Sequence, residues 1–202
     1  MRAAILRQFG PPEVLAVEEA AEPSPIPTEV KVRVRAAGIN PVDLKTRAGK
    51  GVAGVLGEPP LCIGWDVSGE VVEVGGGVTR FAVGEEAFGM PWFPREAGAY
   101  AEFVTAPSRH FATKPHVLSH EEAAALPLAG LTELTRRAAE SSRRVTGFLV
   151  EPDPVGLAGL DALIEAGKLQ VHVDQVFDLE QVVEAHRAAE DHHGGGKIVL
   201  RV

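Results

Sequence analysis

The sequence holds a single cysteine, Cys62. That excludes an intrachain disulfide framework and any cysteine-rich structural zinc site, and it fits a reducing compartment. No apolar run approaches the roughly 20 residues that a membrane-spanning helix needs. The opening stretch, Met1 to Gly10, carries charge but no sustained apolar core, so it reads poorly as a secretory signal. Basic residues are outnumbered: 20 Lys and Arg against 28 Asp and Glu leave a formal net charge of −8, with the cations scattered among acids. Phosphate neutralisation requires clustered Lys and Arg, so a nucleic-acid surface is disfavoured. The expectation is a soluble cytoplasmic protein with neither a nucleic-acid nor a membrane partner.

Several catalytic signatures are missing as well. The dinucleotide fingerprint G-x-G-x-x-G occurs nowhere between a strand and a helix. Gly75-Gly76-Gly77 lacks the third glycine and reads as a turn between strands. Gly194-Gly195-Gly196 precedes a strand rather than a helix, and it too reads as a turn. There is no Walker loop. There is no nucleophile elbow either, because Ser68 stands in Asp-Val-Ser-Gly rather than Gly-x-Ser-x-Gly. Cys62, beside Pro59-Pro60, has no local activating base and reads as a buried structural thiol. His192-His193 has the donor type for a metal, yet reads as a solvated turn.

What is present is an ordinary globular balance over 202 residues, 45% hydrophobic and 24% charged, enough for one domain or one with a small second. Val30, Val32, Val34 and Ala36 alternate with Lys31, Arg33 and Arg35, the pattern of a strand with one wet face. Asp66 to Val74 and Tyr100 to Thr105 read as further strands. Short strands broken by Gly and Pro point to a barrel or sandwich. Asn40-Pro41-Val42-Asp43 opens a helix that Gly49 stops, with Asn40 as its cap. Ser119-His120-Glu121-Glu122 is a capping box before the alanines 123–125. Asp153-Pro154 opens a helix with Leu157, Leu160, Leu163 and Ile164 on one face, ending at Gly167. Asp178 with Gln181 opens another, and Lys197 to Val202 alternates as a final strand. Thr132 to Arg144 reads as a polar exposed helix or linker, followed by a strand at Val145 to Val150.

Taken in order, Met1 to Val17, Ala36 to Asp43 (AAGINPVD), Gly64 to Val71 (GWDVSGEV), Gly98 to Val104 (GAYAEFV) and Leu126 to Thr132 (LPLAGLT) resemble the medium-chain dehydrogenase/reductase superfamily, in its quinone oxidoreductase branch. Gly167 to Leu169 through Lys197 to Leu200 resembles the family's C-terminal end. The resemblance implies a β-rich α+β fold: a GroES-like, partly open β-barrel with flanking helices, built from both chain ends. Intact members insert a Rossmann domain between those ends. A βαβ unit takes about 30 residues and a doubly wound domain on the order of 100 or more. Glu133 to Arg144 is too short for one, so the Rossmann domain is expected to be absent or vestigial. The division expected is 1–130 for the N-terminal part of the GroES-like domain, 131–150 for a remnant or linker, and 151–202 for the part that completes the domain.

The same resemblance bears on chemistry. Zinc-dependent relatives place a cysteine at the position of Asn40 and a His-Glu pair at Trp65-Asp66. Catalytic zinc needs about three N, S or O ligands plus an open position, and Asn and Trp supply neither thiolate nor imidazole. No metal is therefore expected. The family implies hydride transfer from NADPH to a quinone or activated enone, with the cofactor supplying the chemistry. Asn40, beside its capping role, is a candidate to hydrogen-bond substrate or nicotinamide. Lys45 is a candidate for binding a cofactor phosphate or protonating an enolate, or else an exposed helical lysine. Thr132 matches a threonine near the nicotinamide. Trp65, Trp92 and Phe93 are candidates for substrate binding, Trp65 and Trp92 reading as core or cleft wall and Trp92 with Phe93 as an aromatic pocket, and Asp43 and Asp66 read as structural. Val145 to Val150 would lack sheet neighbours without the Rossmann domain, so it is expected to pair with another copy, giving a homodimer through 145–150, or to fold onto the barrel. Alongside an oxidoreductase by descent stand a cofactor-free binding or accessory protein and a domain-deleted form of a normal reductase.

Overall fold

A computed structural model describes residues 1–131, 152–191 and 194–202. The expected helix or linker at 132–144, the strand at 145–150, Thr132 and His192-His193 lie outside the described residues.

Two sheets carry the architecture. The smaller joins β2 (Leu15–Glu19), β1 (Arg2–Leu6) and β4 (Leu61–Cys62) in that order. The larger runs β8 (Phe111–Thr113), β6 (Glu86–Gly89), β5 (Asp66–Val74), β3 (Glu29–Gly38), β10 (Lys197–Arg201) and β9 (Val173–Asp178), with β7 (Phe103–Pro107) also on β3. Among the described residues β8 and β9 do not pair, so the sheet stays open. This is the GroES-like, β-rich α+β arrangement with flanking helices. It is built from both chain ends, because β10 adds antiparallel to β3, with Val199 opposite Gly38 and Leu200 opposite Ala37.

Helices flank the sheets, among them α1 (Pro41–Arg47), α2 (Ala53–Leu56), α3 (His120–Ala124), α4 (Pro154–Glu165) and α5 (Val182–Asp191), and residues 127–131 are helical as well. The caps read from sequence form. The Ser119 side chain accepts from the Glu122 N–H, and Asp153 accepts from Val155. Gly167 takes a positive φ of 65° just beyond α4, a conformation open to glycine at little cost. The helix expected from Asp178 starts with one tight turn, Leu179–Gln181, before α5.

The alternation in β3 holds for its valines and for Arg33 and Arg35, which are exposed, but not for Lys31. Val30, Val32 and Val34 are buried, while Lys31 is buried too, paired with Glu22 and lying 4.9 Å from the Phe103 ring centre. Its aliphatic stem covers apolar surface while the ammonium reaches a carboxylate. The strand expected at 100–105 begins three residues later, at Phe103, and Tyr100 is fully buried. Cys62 is only half-buried, a correction to the buried thiol read from sequence.

Two hydrophobic clusters divide the interior. One gathers valines of β3, β5 and β7 with Leu6, Ile198 and Leu200. The other collects Trp65, Phe88, Met90 and Phe93 with Leu126, Leu157, Leu160 and Ile164, so α4 docks by the face its leucine spacing drew.

The C-terminal helix is tied down by a buried polar contact. Arg47 of α1 donates to the Gly10 carbonyl at 3.1 Å, meets the Nδ1 of His186 at 3.3 Å and pairs with Glu190. Burial, and secondarily Arg47, push the His186 imidazole down to about 3. The ring titrates near 6.5 in the unfolded chain. It is therefore neutral when folded and charges first when unfolded. Its stabilising effect is complete above pH 6.5 and is lost as the pH falls toward 3. The melting temperature is expected to drop between pH 6.5 and 4. His186→Gln, which keeps an acceptor for Arg47, is expected to flatten that drop. Parallel pH profiles for the two proteins would rule out His186 as the source.

Candidate functional site

Strand register assembles the site. β3 and β5 pair antiparallel with Gly38 opposite Asp66, and β10 lies on the other edge of β3 with Val199 opposite Gly38. The exit of β3 (Asn40), the entry of β5 (Asp66) and the start of β10 (Lys197) therefore meet at one end of the sheet. Two glycines permit the close packing. A Cβ on Gly38 would sit 2.3 Å from the Ala124 carbonyl oxygen of α3, and one on Gly64, at φ 94°, 2.4 Å from the Tyr100 ring.

Asn40, 2% exposed, is the hub. Its amide nitrogen donates to Asp66 Oδ2 at 2.9 Å, and its amide oxygen accepts from the Lys197 ammonium. The other Asp66 oxygen accepts from the Leu128 N–H at 3.0 Å, and Lys197 also donates to the Ile39 carbonyl at 2.9 Å. Asn40 and Asp43 face one another as the capping box of α1, with Asp43 Oδ2 accepting from the Asn40 N–H at 2.5 Å. The structural roles read for Asp43 and Asp66 are both visible here. The remaining Asp43 oxygen and the Tyr100 hydroxyl are buried without a partner at hydrogen-bonding geometry, yet they lie close enough to couple electrically.

Burial dominates the titration of this cluster. It pushes Asp43 up to about 7 and Asp66 up to about 6, with Lys197 and Asn40 holding Asp66 partly down. Burial lowers Lys197, opposed by Asp66 and Asp43. Chemically, the cluster is a clamp that can hold or release a proton near neutrality. It joins the 126–131 segment to β10.

Beside the clamp lies a cavity of about 490 Å³, lined mainly by Leu126, Ala129, Leu160, Leu163, Leu169 and Val171, with Lys197 in one wall. Lys197 was read only as a strand residue. Its role was not legible, because a lysine opening an alternating strand gives no sign of facing inward.

The other candidates are scattered. Lys45 is exposed on α1. Trp65 is fully buried, its indole N–H donating to the Arg95 carbonyl at 2.7 Å, with Phe93 edge-on at 5.4 Å. Trp92, at φ 55°, is half-buried and donates to the Thr105 carbonyl at 2.8 Å. None of Lys45, Trp65, Trp92 and Phe93 lines this cavity. Trp65 and Phe93 form the core behind it instead.

A second polar contact went unseen in the sequence. Ser68 Oγ lies 2.8 Å from His120 Nδ1, and His120 Nε2 lies 3.1 Å from Glu86. Ser68 is fully buried, so the row pins α3 to β5 and presents no nucleophile to solvent. Among the described residues no cluster of three or more His, Cys, Asp or Glu has the makings of a metal site. No described helix is long and apolar enough to cross a membrane.

Comparisons with known proteins agree with this architecture. Residues 26–116 match the alcohol dehydrogenase GroES-like domain. A relative from Danio rerio, the mitochondrial NAD(P)H oxidoreductase RTN4IP1, is 36% identical over 148 residues, covering 65% of this chain and 38% of its own length. A 2-methylene-furan-3-one reductase from Solanum lycopersicum is 38% identical over 136 residues, covering 64% of this chain and 34% of its own length. The matches thus span well under half of these relatives. Among solved structures, the quinone oxidoreductase from Coxiella burnetii superposes with a TM-score of 0.90 at 24% identity, over 100% of this chain and 99% of that one. The Escherichia coli quinone oxidoreductase, solved with NADPH, gives 0.79 at 18%, over all of both chains. Residues 26–116 thus carry the GroES-like domain of alcohol dehydrogenases, and the chain is similar to proteins named as NAD(P)H and quinone oxidoreductases.

Proposed function

We propose that the chain descends from zinc-independent, NADPH-dependent quinone or enone reductases, keeps their small-molecule-binding domain, and does not transfer hydride unaided. The observation that carries this reading is the Asn40 clamp. The amide nitrogen donates to Asp66 and the amide oxygen accepts from Lys197, so the side chain is fixed in place and its oxygen already faces an ammonium, a poor setting for a metal. Trp65, at the neighbouring position, is locked in the core and is no ligand.

NADPH would supply hydride wherever it bound. The described residues do not fit a whole dinucleotide, however. They include one apolar cavity beside the clamp, and their glycine-rich turn at 49–51 leads from α1 into the four-residue α2 rather than from a strand into a long helix. Residues 132–151, where intact members carry the nucleotide domain, are too few for a doubly wound sheet. No hydride step is derived for that reason. The division at 1–130, 131–150 and 151–202, a cytoplasmic location and a homodimer through 145–150 belong to the same proposal. The apolar cavity favours a second reading, a cofactor-free binding or accessory protein.

Calorimetric titration with NADPH, and absorbance at the reduced-nicotinamide band with a quinone or an enone added, test the proposal. The expected result is neither micromolar binding nor NADPH consumption by the purified chain. Turnover by the chain alone would overturn it.

A further inference from the structure

The cavity beside the clamp has a rim unlike its walls. Leu126, Leu160, Leu163, Leu169 and Val171 make an aliphatic lining, while Lys168 and His172 stand exposed at the edge. Neither of these two side chains makes a hydrogen bond or ion pair with any other described residue. Lys197, in the wall, is turned inward and spent on Asn40 and Ile39.

The rim is held in place. After α4 the backbone doubles back, with Lys168 and Leu169 both donating to the Leu163 carbonyl at 2.8 and 3.2 Å. Farther on, the His172 carbonyl accepts from the Lys197 N–H at 2.9 Å. Lys168 and His172 are thus presented on a strap anchored at both ends, so little ordering remains to be done on binding.

An aliphatic cavity with two unpartnered basic groups at its mouth is complementary to an amphipathic anion. We propose that it binds a medium-chain fatty carboxylate, the tail among the leucines and the carboxylate between Lys168 and His172. This ligand site goes beyond the reductase reading and stands without it.

Isothermal titration of the intact chain with octanoate, decanoate and decanol, without NADPH, tests the proposal. Decanoate is expected to bind in the submillimolar range. Octanoate should bind on the order of tenfold more weakly, from two fewer buried methylenes. Decanol should bind at least about fivefold more weakly than decanoate, because it lacks the charge. The double variant Lys168→Gln/His172→Gln, changed only at exposed positions, is expected to bind both ten-carbon ligands alike. Ala129→Phe, which places a ring at the exposed mouth, is expected to abolish binding with an unchanged melting temperature. The proposal is overturned if decanoate shows no binding at millimolar concentration. It is overturned equally if decanol binds as well as decanoate, or if the double variant keeps the preference for the anion. Because NADPH is absent throughout, none of these outcomes bears on the reductase reading.

Discussion

Replacing Asp66 by alanine is expected to lower the unfolding free energy by about 2–5 kcal/mol, the scale for leaving two buried donors unsatisfied. The carboxylate accepts from Asn40 at 2.9 Å and from the Leu128 N–H at 3.0 Å, and it offsets the Lys197 charge. Alanine would leave two buried donors without an acceptor and remove one of the two carboxylates that support the Lys197 charge. Asp66→Asn separates these contributions. Its one oxygen can satisfy either donor, while its NH2 group confronts the other, so a loss of about 1–3 kcal/mol is expected, the cost of one unsatisfied buried polar group. Urea denaturation followed by circular dichroism at pH 8, above the value near 6 to which burial raises Asp66, measures both. Equal losses for the two variants would mean that charge plays no part in the clamp.

Trp65→Ala is expected to cost a similar amount, about 3–5 kcal/mol, for a different reason. The indole is fully buried and meets Phe93 edge-on at 5.4 Å, in the cluster where Leu157, Leu160 and Ile164 dock α4. Its removal opens a void beneath that helix and leaves the Arg95 carbonyl without its indole donor. Trp65→Phe retains most of the ring and is expected to lose less, chiefly the hydrogen bond. Thermal unfolding of both variants checks this ordering. A Trp65→Ala protein as stable as the wild type would instead place the indole in an open pocket wall, the role suggested by resemblance.

The reading of individual elements from sequence succeeded where one residue acts on its own neighbours. Asn40-Pro41-Val42-Asp43, Ser119 to Glu122 and Asp153-Pro154 are each a local hydrogen-bonding arrangement that no distant contact needs to complete, and all three open helices. The leucine spacing of α4 likewise predicted the face that docks. Lys31 failed in the opposite sense: alternation marked it as wet, and only Glu22 and the Phe103 ring, distant in sequence, make its burial tolerable. Ser68 and His120 lie 52 positions apart, and no pattern in the chain announces their contact.

The site divides along the same line. Asn40 was singled out by motif and does sit at the centre, but its neighbour Lys197 lies 157 positions away and arrives only because β10 adds to the edge of β3. Lys45, Trp65, Trp92 and Phe93 were drawn from positions along a shared pattern, and the fold distributes them between solvent and core.

What the sequence determined by itself is the set of local elements, the lack of a glycine fingerprint between a strand and a helix, and the order of motifs that carries the family resemblance. Each of these rests on composition, spacing or contacts within a few residues. Only the tertiary structure decided which groups face one another. A buried carboxylate, amide and ammonium satisfy one another through the register of three strands, and register is fixed by the packing of the whole sheet.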